Sequence, residues 1–162
     1  MKRKRLSHET PLWVTAEADY FVTVCAESRN RNHFCHPEIG RTVLESIRFY
    51  HENQSWYCHL AVLMPDHIHL LVCFPPDKTM SKVVGLWRRS LSRKHGVSWQ
   101  RNFVDHRMRN DESIEQKADY VLQNPVRAGL IGSPEDWPFT WIPDKPPRPP
   151  LGTTAATSEL LP

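Results

Sequence analysis

Between Ser55 and Phe74 two β-forming runs, SWYCHLAVLM and HIHLLVCF, are separated by nothing but Pro65-Asp66. A Pro-Asp pair between apolar runs is turn chemistry, and so short a link predicts an antiparallel hairpin. The second run also contains an anomaly. Residues i and i+2 of a strand point to the same side, so His67 and His69 present two imidazoles side by side in an otherwise apolar strand. A buried strand has no need of imidazoles at those positions. Two neutral imidazoles from one strand begin a divalent-metal site that needs at least one more ligand. The plain alternative is a pair of sheet-face histidines with ordinary hydrogen-bond partners.

The rest of the chain supplies a frame for that hairpin. DYFVTVCAES, from Asp19, predicts a strand. In HPEIGRTVLESIRFYHENQ the spacing of Ile39, Val43, Ile47 and Tyr50 predicts an amphipathic helix that Pro37 and Glu38 suit as a start. After Pro75-Pro76, TMSKVVGLWRRSLSRKHG predicts a second helix. Its apolar stripe is Val83, Val84, Trp87 and Leu91, with Lys82, Arg89 and Arg93 on another face, and Gly96 stops it. VSWQRNFVDHRM is a shorter strand candidate. A third helix is expected from about Asp111 to Asn124, because the residue before Pro125 is pushed out of the α region. The first six elements read βαββαβ, an α+β ferredoxin-like (RRM-like) antiparallel sheet with two helices on one face. The first and third strands are then central, and the third helix follows as a C-terminal addition.

A chain of 162 residues is long enough for one domain with its own core. Three regions are expected: a basic arm over residues 1–18, a functional domain over 19–141, and a Pro-rich disordered tail over 142–162. The charged start MKRKRL leads into no apolar segment and no run has membrane-spanning length, so a cytoplasmic protein with no membrane partner is expected. The formal charge of +3 is too small to argue for nucleic acid, but Lys and Arg gather in KRKR and WRRSLSRKH. Cys25, Cys58 and Cys73 read as small core residues of a reducing compartment. Cys35 with His33 or His36 lacks a second ligand pair at finger spacing, so it is not read as zinc-binding.

In KADYVLQNPVRAGL, Tyr120 and Asn124 are four residues apart and share one helical face, off the line of Leu122 and Val126. Each has an ordinary explanation taken alone: Asn before Pro ends helices, and Tyr is at home half-buried with its hydroxyl in water.

The co-ordered segments MPDHIHLLV, FVDHRMR and YVLQNPVRAGL resemble the HUH single-strand DNA transposases, and within them the REP-associated tyrosine transposases. The similarity runs from about Trp13 to Trp141. The resemblance implies that His67 and His69 bind a divalent metal, that Tyr120 is the nucleophile, and that Asn124 completes the metal site where better-known members carry Gln. It implies cleavage and rejoining of single-stranded DNA with hairpin or palindromic ends through a 5′-phosphotyrosine intermediate, by a monomer or homodimer associated with the bacterial nucleoid. A tyrosine hydroxyl, with a pKa of about 10, needs assistance at neutral pH, and a bound cation neutralising the scissile phosphate is one source. Imidazole and amide ligands favour Mn2+ over Mg2+. No GxxxxGK[ST] loop occurs, in keeping with a reaction that needs no nucleotide. Arg88, Arg89, Arg93 and Lys94, with Arg107 and Arg127, are the candidates for DNA contact, against the alternative of a solvated basic surface. Asp105, His106 and Arg107 are expected near the site, with His106 not a ligand. Two other functions stay open on the residues alone: a non-catalytic ferredoxin-like module for structured nucleic acid, and a metal hydrolase that uses water as nucleophile.

Overall fold

Alternation in DYFVTVC puts Val22 and Val24 in the core and leaves Phe21, Thr23 and Cys25 on the opposite side of strand β1 (Asp19–Cys25). The structure, a computed structural model, describes residues 18–109 and 111–143. The basic arm up to residue 17 and the Pro-rich tail from residue 144 lie outside the described residues. After β1 come helix α1 (Pro37–Glu52), strands β2 (Tyr57–Leu63) and β3 (His67–Cys73), helix α2 (Met80–His95) and strand β4 (Val104–Arg107). This is the expected βαββαβ order. The sheet runs β4-β1-β3-β2-β5, with every pairing antiparallel and β1 and β3 inside.

Each helix lies where its stripe dictates. Pro37 occupies the first turn of α1, where its missing N–H costs nothing. Gly96 takes φ 68° after α2, a left-handed stop that glycine adopts freely. Val43, Leu44 and Ile47 of α1 pack with Val83, Val84, Trp87 and Leu91 of α2 against Val22, Val24, Ile68, Leu70 and Val72. Both helices therefore cover one face of the sheet. The histidine face carries a second, smaller cluster: Leu60, Val62, Met64 and Leu71, covered by Ala118 and Val121.

Several features depart from expectation. The third helix, α3 (Ile114–Leu122), starts later than Asp111 because Ser113 caps it, its side chain accepting from the Gln116 N–H at 3.2 Å. Nor does the chain leave the helical region at Asn124. A short helix α4 (Asn124–Arg127) follows directly, with Pro125 in its first turn. Proline is tolerated there because first-turn N–H groups have no intrahelical acceptor. Beyond it, a 3-10 turn (Pro134–Asp136) and strand β5 (Thr140–Trp141) return the chain to the edge of β2, closing a side that the sequence reading left open. Cys58 and Cys73 are buried as expected, whereas Cys25 is half-buried on the histidine face, where its sulfur meets Arg29 Nη1 at 3.2 Å. No described helix is long and apolar enough to cross a membrane.

The returning segment is seated by glycine. A Cβ on Gly40 of α1 would lie 2.5 Å from the Phe139 ring, and Leu63 N–H donates to the Phe139 carbonyl at 2.9 Å. Gly40→Ala should therefore lift Phe139 from α1 and loosen β5. We expect a net loss of about 1–2 kcal/mol, overpacking outweighing the gain in helix propensity, read as a lower urea midpoint. An unchanged or higher midpoint would show that Phe139 yields without cost.

Candidate active site on the open sheet face

Asp66 is the residue from which the site is built. It is buried in the β2–β3 turn, and its Oδ1 accepts from His67 Nδ1 at 2.7 Å. Its Oδ2 accepts from Arg29 Nε and from the Asn30 backbone N–H, both at 2.8 Å. Asn30 presents that N–H from a left-handed conformation, φ 63°, which asparagine tolerates better than most residues. Burial alone would push the Asp66 carboxyl up, but the Asn30 N–H, His67 and Arg29 together hold it well below the usual carboxylate range. An ionised carboxylate only accepts, so His67 carries a proton on Nδ1, which leaves Nε2 as its potential ligating atom.

His69 is held by a parallel device. Its Nδ1 meets Thr23 Oγ1 at 2.9 Å, and its ring stacks on Phe21 with centroids 5.2 Å apart. Burial, then the neighbouring His67 and Arg127, push its pKa down to about 3, so the ring is neutral at neutral pH. The two imidazoles stand edge to face, centroids 4.7 Å apart. With both Nδ1 atoms occupied, the Nε2 atoms are the ones left to ligate. Imidazoles oriented through Nδ1, with Nε2 left to ligate, are what a divalent cation requires, so the donor set fits such an ion.

The tyrosine helix lies across this same face. Ala118 and Val121 are its buried anchors, and Tyr120 turns outward, 58% exposed. Lys117 Nζ sits 5.1 Å from the Phe21 centroid and 5.7 Å from that of Tyr120, while Arg127 covers the Tyr120 ring at 4.1 Å. His69, Phe21, Lys117, Tyr120 and Arg127 thus form one continuous series of contacts. Arg127 also donates to the Tyr120 carbonyl at 2.9 Å and to the Asn124 side-chain oxygen. A cleft of about 370 Å3 opens beside this group, lined by Tyr120, Gln123, Arg127 and Thr140 with the carboxylates Asp119 and Glu135.

The remaining candidates are not gathered here. α2 packs on the opposite face, so Arg88, Arg89, Arg93 and Lys94 lie in the other layer. Arg88 is committed to the fold, donating to the Gln100 and Arg101 carbonyls at 3.0 and 3.4 Å. Arg107 is exposed on edge strand β4, opposite Tyr20 on the helix-covered side. His106 shares the face of Phe21, but its Nε2 contacts both Glu112 oxygens at 3.0 and 3.1 Å. Sequence reasoning passed over Thr23, Arg29, Asn30, Phe21 and Lys117, which are scattered along the chain. It read Asp66 as a turn residue alone, although an acidic residue directly before a histidine pair was a usable signal.

Comparison with known proteins points to one group. Residues 17–123 match the family described as Transposase IS200 like, a span that includes Tyr120 and ends one residue before Asn124. A Haemophilus influenzae protein provisionally named a REP-associated tyrosine transposase is 26% identical over 141 residues, covering 75% of this chain and 77% of its own. The REP-associated tyrosine transposase of Escherichia coli K12 is 29% identical over 82 residues, 49% of this chain and 50% of its own. A solved REP-associated tyrosine transposase, bound to a REP hairpin, superposes with a TM-score of 0.67 at 22% identity, over 86% of this chain and 82% of the other. At that identity it shows the shared fold.

Replacing Asp66 with Ala should cost about 2–4 kcal/mol, because the His67 Nδ1–H and the Asn30 N–H lose a buried acceptor and Arg29 its partner. Urea unfolding with an unchanged m-value would measure it. A loss below about 0.5 kcal/mol would mean that the turn holds without its carboxylate.

Proposed function

The chain belongs to the IS200-like transposases, and on that footing we propose that it cleaves and rejoins single-stranded DNA with hairpin or palindromic ends, with Tyr120 as nucleophile. The observation that carries this reading is the contact series on one sheet face, in which an exposed tyrosine joins the oriented imidazoles through Lys117 and Phe21.

The step balances without a nucleotide. The Tyr120 hydroxyl oxygen bonds to phosphorus and loses its proton to solvent, while the bond to the 3′ oxygen breaks and that oxygen takes up a proton as a free hydroxyl. The product is a 5′-phosphotyrosine ester. It keeps the free energy of the phosphodiester, so a second 3′-hydroxyl can reverse the step and join a different end. Lys117 and Arg127, on the ring of Tyr120, are placed to take the charge that develops on the phosphate oxygens. His67 and His69 through Nε2, and Asn124 through its amide oxygen, would hold the divalent ion, Mn2+ or Mg2+. When bound, that ion supplies further neutralisation of the phosphate. The Asn124 oxygen already accepts from Arg127, which leaves its second lone pair for an ion, and a cation there would repel the guanidinium toward another acceptor. A DNA phosphate is the acceptor the reaction brings.

Labelled single-stranded DNA hairpins incubated with Mn2+ and the full chain test the reading. Wild type should form a covalent adduct that survives denaturing electrophoresis, and Tyr120→Phe should form none, since the ring is exposed and its loss of a hydroxyl leaves the fold intact. Cutting that persists in Tyr120→Phe would favour a water nucleophile. Metal-independent binding with no adduct on any DNA would favour a binding module instead. In single-turnover assays Arg127→Ala should slow adduct formation on the order of a hundredfold. A rate within twofold of wild type would remove Arg127 from the reaction.

A further inference from the structure

At the far end of β3 from the histidine pair, ligating side chains from three adjacent strands converge. Asp19 begins β1 and stands directly opposite Cys73, the last residue of β3. His59 comes from β2, at the bulge between Cys58 and Leu60. A bulge adds one residue to a strand and re-aims its side chain. Here it sets both His59 and Leu60 on the open face, and His59 Nε2 reaches Asp19 Oδ1 at 2.9 Å. One ligand atom from each of Asp19, His59 and Cys73 lies within 4.8 Å of the others. His59 and Cys73 are buried and Asp19 is half-buried. Cys73 also packs with Tyr57 in a small buried cluster, and the bulge brings His59 to the same end of the sheet, so three donors of different type converge from three strands.

We infer that Asp19, His59 and Cys73 form a second metal site, one that takes Zn2+ through a carboxylate oxygen, an imidazole nitrogen and a thiolate, with water in the fourth position. Ligand atoms around tetrahedral zinc lie roughly 3–4 Å apart, within small side-chain rotations of the observed cluster. Binding releases the Cys73 proton to solvent, and His59 Nε2 exchanges its contact with Asp19 for the ion. The thiolate excludes Mg2+, which takes oxygen ligands. The site would tie the start of β1 to β2 across the end of β3, and it stands independently of any role for Tyr120.

Co2+ titrated into the full chain reports on it directly, because only a thiolate ligand produces a sulfur-to-cobalt charge-transfer band. In a His67→Ala/His69→Ala background one equivalent of Co2+ should develop that band, and Zn2+ should bleach it. Cys73→Ser should abolish it, with circular dichroism confirming the fold. No band, or a band that survives Cys73→Ser, overturns the proposal. Asp19→Asn changes a half-exposed residue and should lower Zn2+ affinity at least about tenfold. Unchanged affinity in that variant likewise overturns the three-residue site.

Discussion

The carboxylate of Asp66 is the contact on which both the hairpin and the site depend. It joins a histidine of β3 to two groups from the loop after β1, the Arg29 guanidinium and the Asn30 N–H. The same turn is tied by backbone: Ala26 N–H donates to the Asp66 carbonyl at 2.9 Å, and His33 N–H to the Pro65 carbonyl at 2.7 Å. These bonds fix where β3 begins, and in a strand the starting point decides which side chains face which way. A slip of one residue would bury His67 and His69 under α1 and α2 and expose Ile68, Leu70 and Val72. The apolar side of β3 resists that slip on its own account. The Asp66 contacts add a polar penalty to it, since a buried carboxylate without partners costs several kcal/mol.

The two faces of the sheet then do different work. The covered face buries four residues from each of α1 and α2 against aliphatic strands, and Trp87 and Trp56 fill the space between them. The open face holds α3 by Ala118 and Val121. Ile114 and Leu122 pack at the margin of the same cluster, so α3 buries less apolar area than α1 or α2, each ordinary apolar contact contributing at about 25 cal/mol per Å2. That suits the proposed role of its exposed tyrosine. It also explains the cations around that ring. Lys117 and Arg127 lay their stems along aromatic surface and keep their charges at the solvent edge, where phosphate would find them.

The frame was legible because its signals were periodic. Alternation gave β1, helical spacing gave the buried stripe of α2, and Pro65-Asp66 gave the hairpin, each pattern repeating over enough residues to exceed chance. The parts that escaped notice depend on single contacts. β5 is two residues long and exists because Phe139 fits over Gly40 and Trp137 Nε1 donates to the Leu63 carbonyl at 2.9 Å. The end of α3 is ambiguous in sequence because a proline that can terminate one helix can equally begin the next turn, as Pro125 does here. In the site, His67, His69 and Tyr120 announce themselves by type and spacing. Thr23 and Arg29 look like any surface polar residues until β1 is placed beside β3.

One strand thus carries donors of different character at its two ends, imidazoles at 67 and 69 and a thiol at 73, with buried Leu71 between them. Four residues at the strand rise separate His69 from Cys73 by about 13 Å. Two divalent ions at that distance repel by only about 1 kcal/mol in a water-like dielectric, and physiological salt reduces this further. Zinc binding to a thiolate-containing site is worth on the order of 10 kcal/mol, so repulsion would not prevent joint occupancy. Selectivity would follow from ligand type: a thiolate would draw the softer ion to the end where β1 starts, and the imidazole pair would remain open to the ion of the proposed reaction. Separation along one β-strand would be enough to keep a cation at the Cys73 end out of the reaction proposed at Tyr120.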